Sequence, residues 1–119
     1  MYMQTKMAAK VTGSVVGKGG CEDNAFNGNE ILIVEVQDTS RADAPSISLG
    51  QQKITLKKGE KFPINFDIEY QEEEASKVPD YGLTLSARIE DNNGQLLYIN
   101  DTSTSIKDKK IEVAAYIKF

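Results

Sequence analysis

Five apolar residues at strict two-residue spacing, Tyr81, Leu83, Leu85, Ala87 and Ile89, precede the polar run Asp91-Asn92-Asn93-Gly94, and a second apolar run starts at Leu96. No other feature constrains the fold as much. A period of two sends alternate side chains to opposite faces of an extended strand, and Asn-Gly between two such runs is the pair that a tight reversal favours. Residues 81–102 therefore read as a β-hairpin turning on Asn93-Gly94, with positive φ required at the turn.

The same alternation recurs along the chain. Phe62, Ile64, Phe66, Ile68 and Tyr70 alternate with Pro63, Asn65, Asp67 and Glu69, which places Phe66 in a core and one face of the strand in water. Pro63 has no amide hydrogen for a ladder, so that strand begins at a sheet edge. Ile111, Val113, Ala115, Ile117 and Phe119 alternate to the end of the chain and tie it into a sheet. In residues 31–37, Leu32, Val34 and Val36 share one face while Ile31 and Ile33 take the other, the pattern of a central strand covered on both sides near its start. Residues 10–16 make a first strand bent at Gly13. Residues 46–49 and 52–56 make two short extended pieces broken at Gly50, before a turn at Lys57-Lys58-Gly59-Glu60. Only residues 71–77 look helical. They lack an apolar stripe and Pro79 follows, so one surface turn is expected, with Glu72, Glu73 and Glu74 as a solvated charge run rather than a cation site.

About seven strands with turn signals between them predict an all-β domain, a small antiparallel β-sandwich, with a closed barrel as the alternative. Residues 1–9 are expected to form a flexible N-terminal segment and residues 10–119 a single domain. A chain of 119 residues with 39% hydrophobic content can bury such a core without disulfides or metal.

Composition removes much chemistry. With no histidine and one cysteine, neither a Ser-His-Asp nor a Cys-His relay can be assembled, an internal disulfide is impossible, and no cofactor or metal site is expected. Cys21 lies in Gly17-Lys18-Gly19-Gly20-Cys21-Glu22-Asp23, which lacks the Gly-Lys-Ser/Thr ending of a phosphate loop and carries two carboxylates that would repel an anion; it reads as a structural loop. A net charge of −4 opposes binding to a nucleic-acid backbone. No run approaches the roughly 20 apolar residues that cross a bilayer as a helix, and the first residues have no signal-peptide core. A mature or trimmed form is expected on that ground, or else an intracellular protein.

Val11-Thr12-Gly13-Ser14-Val15, the run Val34-Glu35-Val36-Gln37 continuing into Asp38-Thr39-Ser40-Arg41-Ala42-Asp43-Ala44-Pro45, the alternating residues 81–89, and Asn100-Asp101-Thr102 follow one another in an order and spacing that resemble the YbaY/YscW family of bacterial lipoproteins. The resemblance covers roughly residues 10–104. It implies an Ig-like sandwich and, from the family's best understood branch, a pilotin that helps an outer-membrane secretin of type III secretion reach or assemble in the membrane. A periplasmic or cell-envelope location is implied with it. The chain departs from the family pattern in having no lipobox cysteine before the domain, and in a glycine-rich rather than proline-rich loop between its first two strands.

The residues of the 38–45 motif have physical roles of their own. Asp38, Thr39 and Ser40 are short side chains that bond nearby backbone amides, Ala42 and Ala44 permit close packing, and Pro45 starts an extended segment. A specialised turn at the end of a central strand is one reading; the other is a partner-binding loop presenting Arg41, Asp43 and Pro45. Arg88 is expected to pair across the hairpin with Asp101. Three function classes follow: a non-catalytic protein-binding or chaperone domain with a secretin-like partner; a secreted or surface module that binds carbohydrate or inhibits an enzyme, with Asn100-Asp101-Thr102 as a glycosylation acceptor; and, least supported, an enzyme.

Overall fold

A computed structural model of the chain describes residues 8–40, 44–100 and 104–115. The elements are β1 (Ala8–Gly17), β2 (Ile31–Asp38), β3 (Ile47–Thr55), β4 (Ile64–Gln71), a short helix α1 (Glu72–Ser76), a 3-10 turn (Asp80–Gly82), β5 (Leu83–Glu90), β6 (Leu96–Ile99), β7 (Thr104–Ser105) and β8 (Lys110–Ala115). Strand order is β3-β2-β5-β6-β8-β1-β4, with β7 pairing β5 off this path.

The all-β class stands, but the Ig-like sandwich is replaced by one rolled sheet of eight strands, nearly closed into a barrel. Two features produce the roll. The first is β8, which pairs parallel with β1 (Ser14↔Lys110 to Gly17↔Val113) and antiparallel with β6 (Tyr98↔Ala115, Ile99↔Ala114), so one strand joins both halves and not every pairing is antiparallel. The second is the approach of the two end strands: a Cβ at Gly50 of β3 would collide with the Glu69 carbonyl of β4 and sit 2.9 Å from the Tyr70 Cβ. Two residues along, the Gln52 side-chain carbonyl accepts a hydrogen bond of 2.9 Å from the Asp67 amide. Gly50 opposite Glu69 and Gln52 opposite Asp67 define one antiparallel seam, held by a side chain where a ladder would have run.

Alternation builds the core as expected. Leu32, Val34 and Val36 of β2, Ile64, Phe66 and Ile68 of β4, and Leu85, Ala87 and Ile89 of β5 all point into it, joined by Val11, Val15, Ile111 and Val113. Each fully buried side chain of this kind stabilises the fold by about 1.5–3 kcal/mol. Ile33 is buried on the opposite face, and β2 lies between β3 and β5, as a central strand should. Gly13 stands opposite Phe66, whose ring would lie 2.7 Å from a Cβ there.

Several boundaries differ from the sequence reading. β1 begins at Ala8, two residues before the expected domain start. β3 is one strand, not two pieces: Val36 faces Gly50 and Gln37 faces Ser48, so Leu49 is the extra residue of a bulge. Gly50 marks close approach of β4 rather than a break. β4 starts after the cis Phe62-Pro63 peptide, and it is an end strand, as Pro63 suggested. The hairpin turns on Asp91 as much as on glycine. Gly94 has φ 81° and its amide bonds the Asp91 carbonyl at 3.0 Å, while Asp91 Oδ1 accepts from the Asn93 and Gln95 amides, both at 2.9 Å. Asn93 is not among the positive-φ residues, so this is a longer loop closed by a left-handed glycine, with Leu97 bulged beyond it. α1 turns one side chain, Ala75, inward. Ile117 and Phe119 lie outside the described residues.

Candidate functional site

At the end of β2 the chain makes the turn that the short polar side chains of its motif predict. Asp38 Oδ1 accepts from the Ser40 amide at 2.9 Å and from its hydroxyl at 2.6 Å, a local loop that ends the strand. Thr39 is fastened to the neighbouring segment: its amide and hydroxyl donate to the Gly82 carbonyl at 2.8 and 3.3 Å, and its hydroxyl lies 3.3 Å from that of Thr84. Gly82 has no Cβ because Ser40 occupies that space; a Cβ there would lie 2.9 Å from the Ser40 Cα. Arg41 and Asp43 lie outside the described residues. Pro45 is exposed just before β3.

Beside this turn is a hollow of about 220 Å³ lined by Asp38, Ser40, Ile47, Leu49, Glu74, Lys77 and Val78. Its origin is topological. β4 runs alongside β3 through Asp67 and Glu69 to Gln71 and then leaves the sheet as α1, so Ile47, the first residue of β3, has β2 on one side and no strand on the other. Ile47 is 43% exposed, and Tyr81, the other exposed large hydrophobic residue among those described, is 78% exposed at the same end of the sheet, where Leu83, Asp38 and Ile47 form one row across β5, β2 and β3. Glu74 lines the hollow from α1 and lies 3.7 Å from Lys77, which lines it too. No set of three His, Cys, Asp or Glu residues able to hold a metal occurs among the described residues.

A second hollow, about 340 Å³, lies between the loop after β1 and β6 and includes Asn24, Phe26, Glu30 and Tyr98. Phe26, Phe62 and Tyr98 meet edge to face around it, with centroids 5.2–5.9 Å apart. Glu30 is buried, and its carboxylate accepts from the amides of Asn27 (2.9 and 3.0 Å), Gly28 (3.0 Å) and Asn29 (3.2 Å), which folds the loop onto itself. These residues escaped sequence reasoning because a carboxylate after Asn27-Gly28-Asn29 looks like one more solvated loop charge. Cys21 is buried in the same loop, 3.1 Å from the Lys18 carbonyl, as a structural residue would be.

Among the described residues Arg88 bonds Glu90 at 2.8 Å and Glu35 at 3.2 Å; its expected partner, Asp101, lies outside them. The Asn100 side chain is drawn into the sheet: its carbonyl accepts from the Ala87 amide at 3.0 Å, and its nitrogen, where a glycan would attach, donates to the Leu85 carbonyl at 3.4 Å. Lys10 has its pKa raised above 10.5 by its hydrogen bond and charge attraction to Asp67, 2.9 Å away.

The described residues form a strand-rich domain with a fastened turn at one end, and comparison with known families places the chain. The model of a type III secretion system lipoprotein chaperone, YscW, matches residues 6–115. The chain belongs to the YscW family. Among solved structures, it is similar to an alternative pilotin from the type II secretion system of Vibrio cholerae, at a TM-score of 0.74 and 26% identity over 94% of this chain and 100% of the other. No functionally curated protein matches. YscW-family membership agrees with the resemblance carried by the 38–45 motif, and no helix among the described residues is long and apolar enough to cross a membrane.

Proposed function

We propose that this domain is a non-catalytic chaperone of the pilotin kind, which binds an outer-membrane secretin in the cell envelope and holds it for delivery or assembly. The observation that carries the reading is the match of nearly the whole chain to a lipoprotein chaperone family, together with the fold it shares with a secretion-system pilotin. The geometry supports the same reading. The end of the domain bearing the Asp38 turn exposes Ile47 and Tyr81 and leaves part of an edge strand open, and such features suit a protein partner better than a small molecule. Arg41, Asp43 and Pro45 belong to the contact surface in this proposal, on a loop whose two ends are held by β2 and β3.

The test is capture of the full-length secretin from the same genome by the purified, tagged domain. Retention of the secretin is expected, and replacing Arg41 and Asp43 together by alanine should weaken it while circular dichroism stays unchanged. A secretin that passes through unbound at micromolar domain concentration would overturn the proposal, as would turnover of a defined substrate.

A further inference from the structure

We propose that the first half of β1 takes an extended, acidic segment of the partner as an added strand, on the side that β8 does not reach, with Lys109 and Lys110 at its end. This rests on the protein-binding reading above and names how the partner is held.

The strand register leaves this edge open. β4 covers one side of β1 from Ala8 to Val15, whereas β8 covers the other only from Ser14 to Gly17. Two hydrogen bonds fix which way the polar groups in between point. The Ser14 amide donates to the Lys109 carbonyl at 3.0 Å, so the backbone groups of Ser14 face β8, and those of Thr12, Lys10 and Ala8 face the same side at a period of two. β4 gives the same answer: Asp67, opposite Thr12, turns its amide away from β1 to the Gln52 side chain, so Thr12 and Asp67 form a pair without mutual hydrogen bonds. The turn before β8 meets β1 at Gly13 and Ser14, and among the described residues no backbone bond reaches Lys10 or Thr12 on that side. Their amides and carbonyls are a template for one more strand.

The surroundings select the occupant. Val11 is buried, Ala9 and the Tyr70 opposite it are half-buried, and so is Ile106 in the turn before β8, so an added strand would cover this rim of the core with alternate apolar side chains. Its end, in line with β8, would meet Lys109 and Lys110, both exposed and without an ion pair among the described residues. Nearby carboxylates are engaged or turned elsewhere. Asp67 holds Lys10 at 2.9 Å from the β4 side, where Glu69 also lies; Asp108 accepts from the Ser105 amide at 3.3 Å, Lys107 reaches Asp80, and Glu112 lies beyond Lys110 along β8. The two lysines therefore attract an aspartate or glutamate of the segment. A second copy of this chain fits poorly, because pairing β1 antiparallel with itself about Lys10 sets two ammonium groups opposite each other.

The experiment uses the full chain and the same-genome secretin, first whole and then as short overlapping synthetic peptides, measured by fluorescence polarisation. Thr12→Pro removes an amide that β4 does not use and should lower affinity for whole secretin at least about tenfold, whereas Thr12→Val, which keeps that amide, should bind as the parent does. Lys109→Glu with Lys110→Glu should lower affinity several-fold, and less at high salt, with unchanged circular dichroism. Peptides that bind should alternate apolar residues and carry an aspartate or glutamate. N-methylation of alternate backbone amides in the best peptide should abolish binding in one phase of the alternation and spare it in the other. If folded Thr12→Pro, or the double lysine variant, binds whole secretin as the parent does, the inference falls while the chaperone reading stands. Binding indifferent to N-methylation in both phases overturns strand addition whether or not Thr12→Pro folds. A parent that sediments as a dimer while Thr12→Pro sediments as a monomer gives the edge to a second copy and overturns it too. Failure of whole secretin to bind the parent removes both readings.

Discussion

Replacing Gly50 by alanine probes the feature that turns a sheet into a nearly closed barrel. The new methyl group would be driven into the Glu69 carbonyl and to 2.9 Å from the Tyr70 Cβ, whereas ordinary van der Waals contact begins near 3.4 Å. Both obstacles belong to the backbone or sit next to it, so they cannot swing aside, and the seam must part by several tenths of an ångström or more. Overpacking of this kind costs about 1–3 kcal/mol. For a domain of this size each kcal/mol moves the midpoint by about 4 °C, so Gly50→Ala should melt about 4–12 °C below the parent by differential scanning calorimetry. Gln52→Ala is the matched control. It removes the bond to the Asp67 amide without adding bulk, and at an exposed position that loss is worth about 0.5–1.5 kcal/mol at most. Amide hydrogen exchange should quicken at Asp67 in both variants. If Gly50→Ala melts at or above the parent temperature, the two end strands are not in the contact described, and the closed part of the seam does not exist.

Phe66, 3% exposed, should lose about 3–5 kcal/mol of stability as alanine, a large share of the 5–15 kcal/mol typical of a domain; an unchanged urea midpoint would mean that β4 turns its other face inward. Gly94→Val places a branched side chain at φ 81° and should cost about 1–3 kcal/mol, read as a lowered melting temperature; full stability would deny the left-handed conformation. Lys10, whose ammonium Asp67 holds above its ordinary 10.5, contributes stability that is complete below that pH and lost as pH rises through the raised value. An NMR titration of its side chain should find a midpoint above 10.5, and a midpoint at or below 10.5 would show that the pair does not persist in solution.

What was legible in the sequence was everything governed by a period of two. Leu32, Val34 and Val36, or Ile64, Phe66 and Ile68, announce their burial by spacing alone, and the strands they build fall within two residues of expectation. The roll of the sheet was not legible, because it depends on which strands meet: neither Gly50 nor β8 declares that it will touch β4 or serve two neighbours. Gly50 was mistaken for a break since a glycine that ends a strand and one that admits a neighbouring backbone look alike in sequence. The Asp38 turn was readable from its short polar side chains, whereas the hollow beside it arises from the departure of β4 into α1, far away along the chain. The roles of the Glu30 and Asn100 side chains inside the fold were not legible for a related reason. A polar side chain that satisfies backbone groups inside the fold has no periodic signature.

Two carboxamides, Gln52 and Asn100, stand in for peptide groups in this sheet, and their different wiring has a consequence for how the protein ages. Gln52 lends the seam only its oxygen, so hydrolysis of its amide to a carboxylate leaves an acceptor facing the Asp67 amide. Asn100 uses both ends, accepting from Ala87 and donating to Leu85. The same hydrolysis there exchanges a donor for an anion opposite a carbonyl oxygen, and the strand it braces loses its hold between β6 and β7. Deamidation is thus benign at one position and disruptive at the other, and stored samples should lose their fold in step with conversion at Asn100.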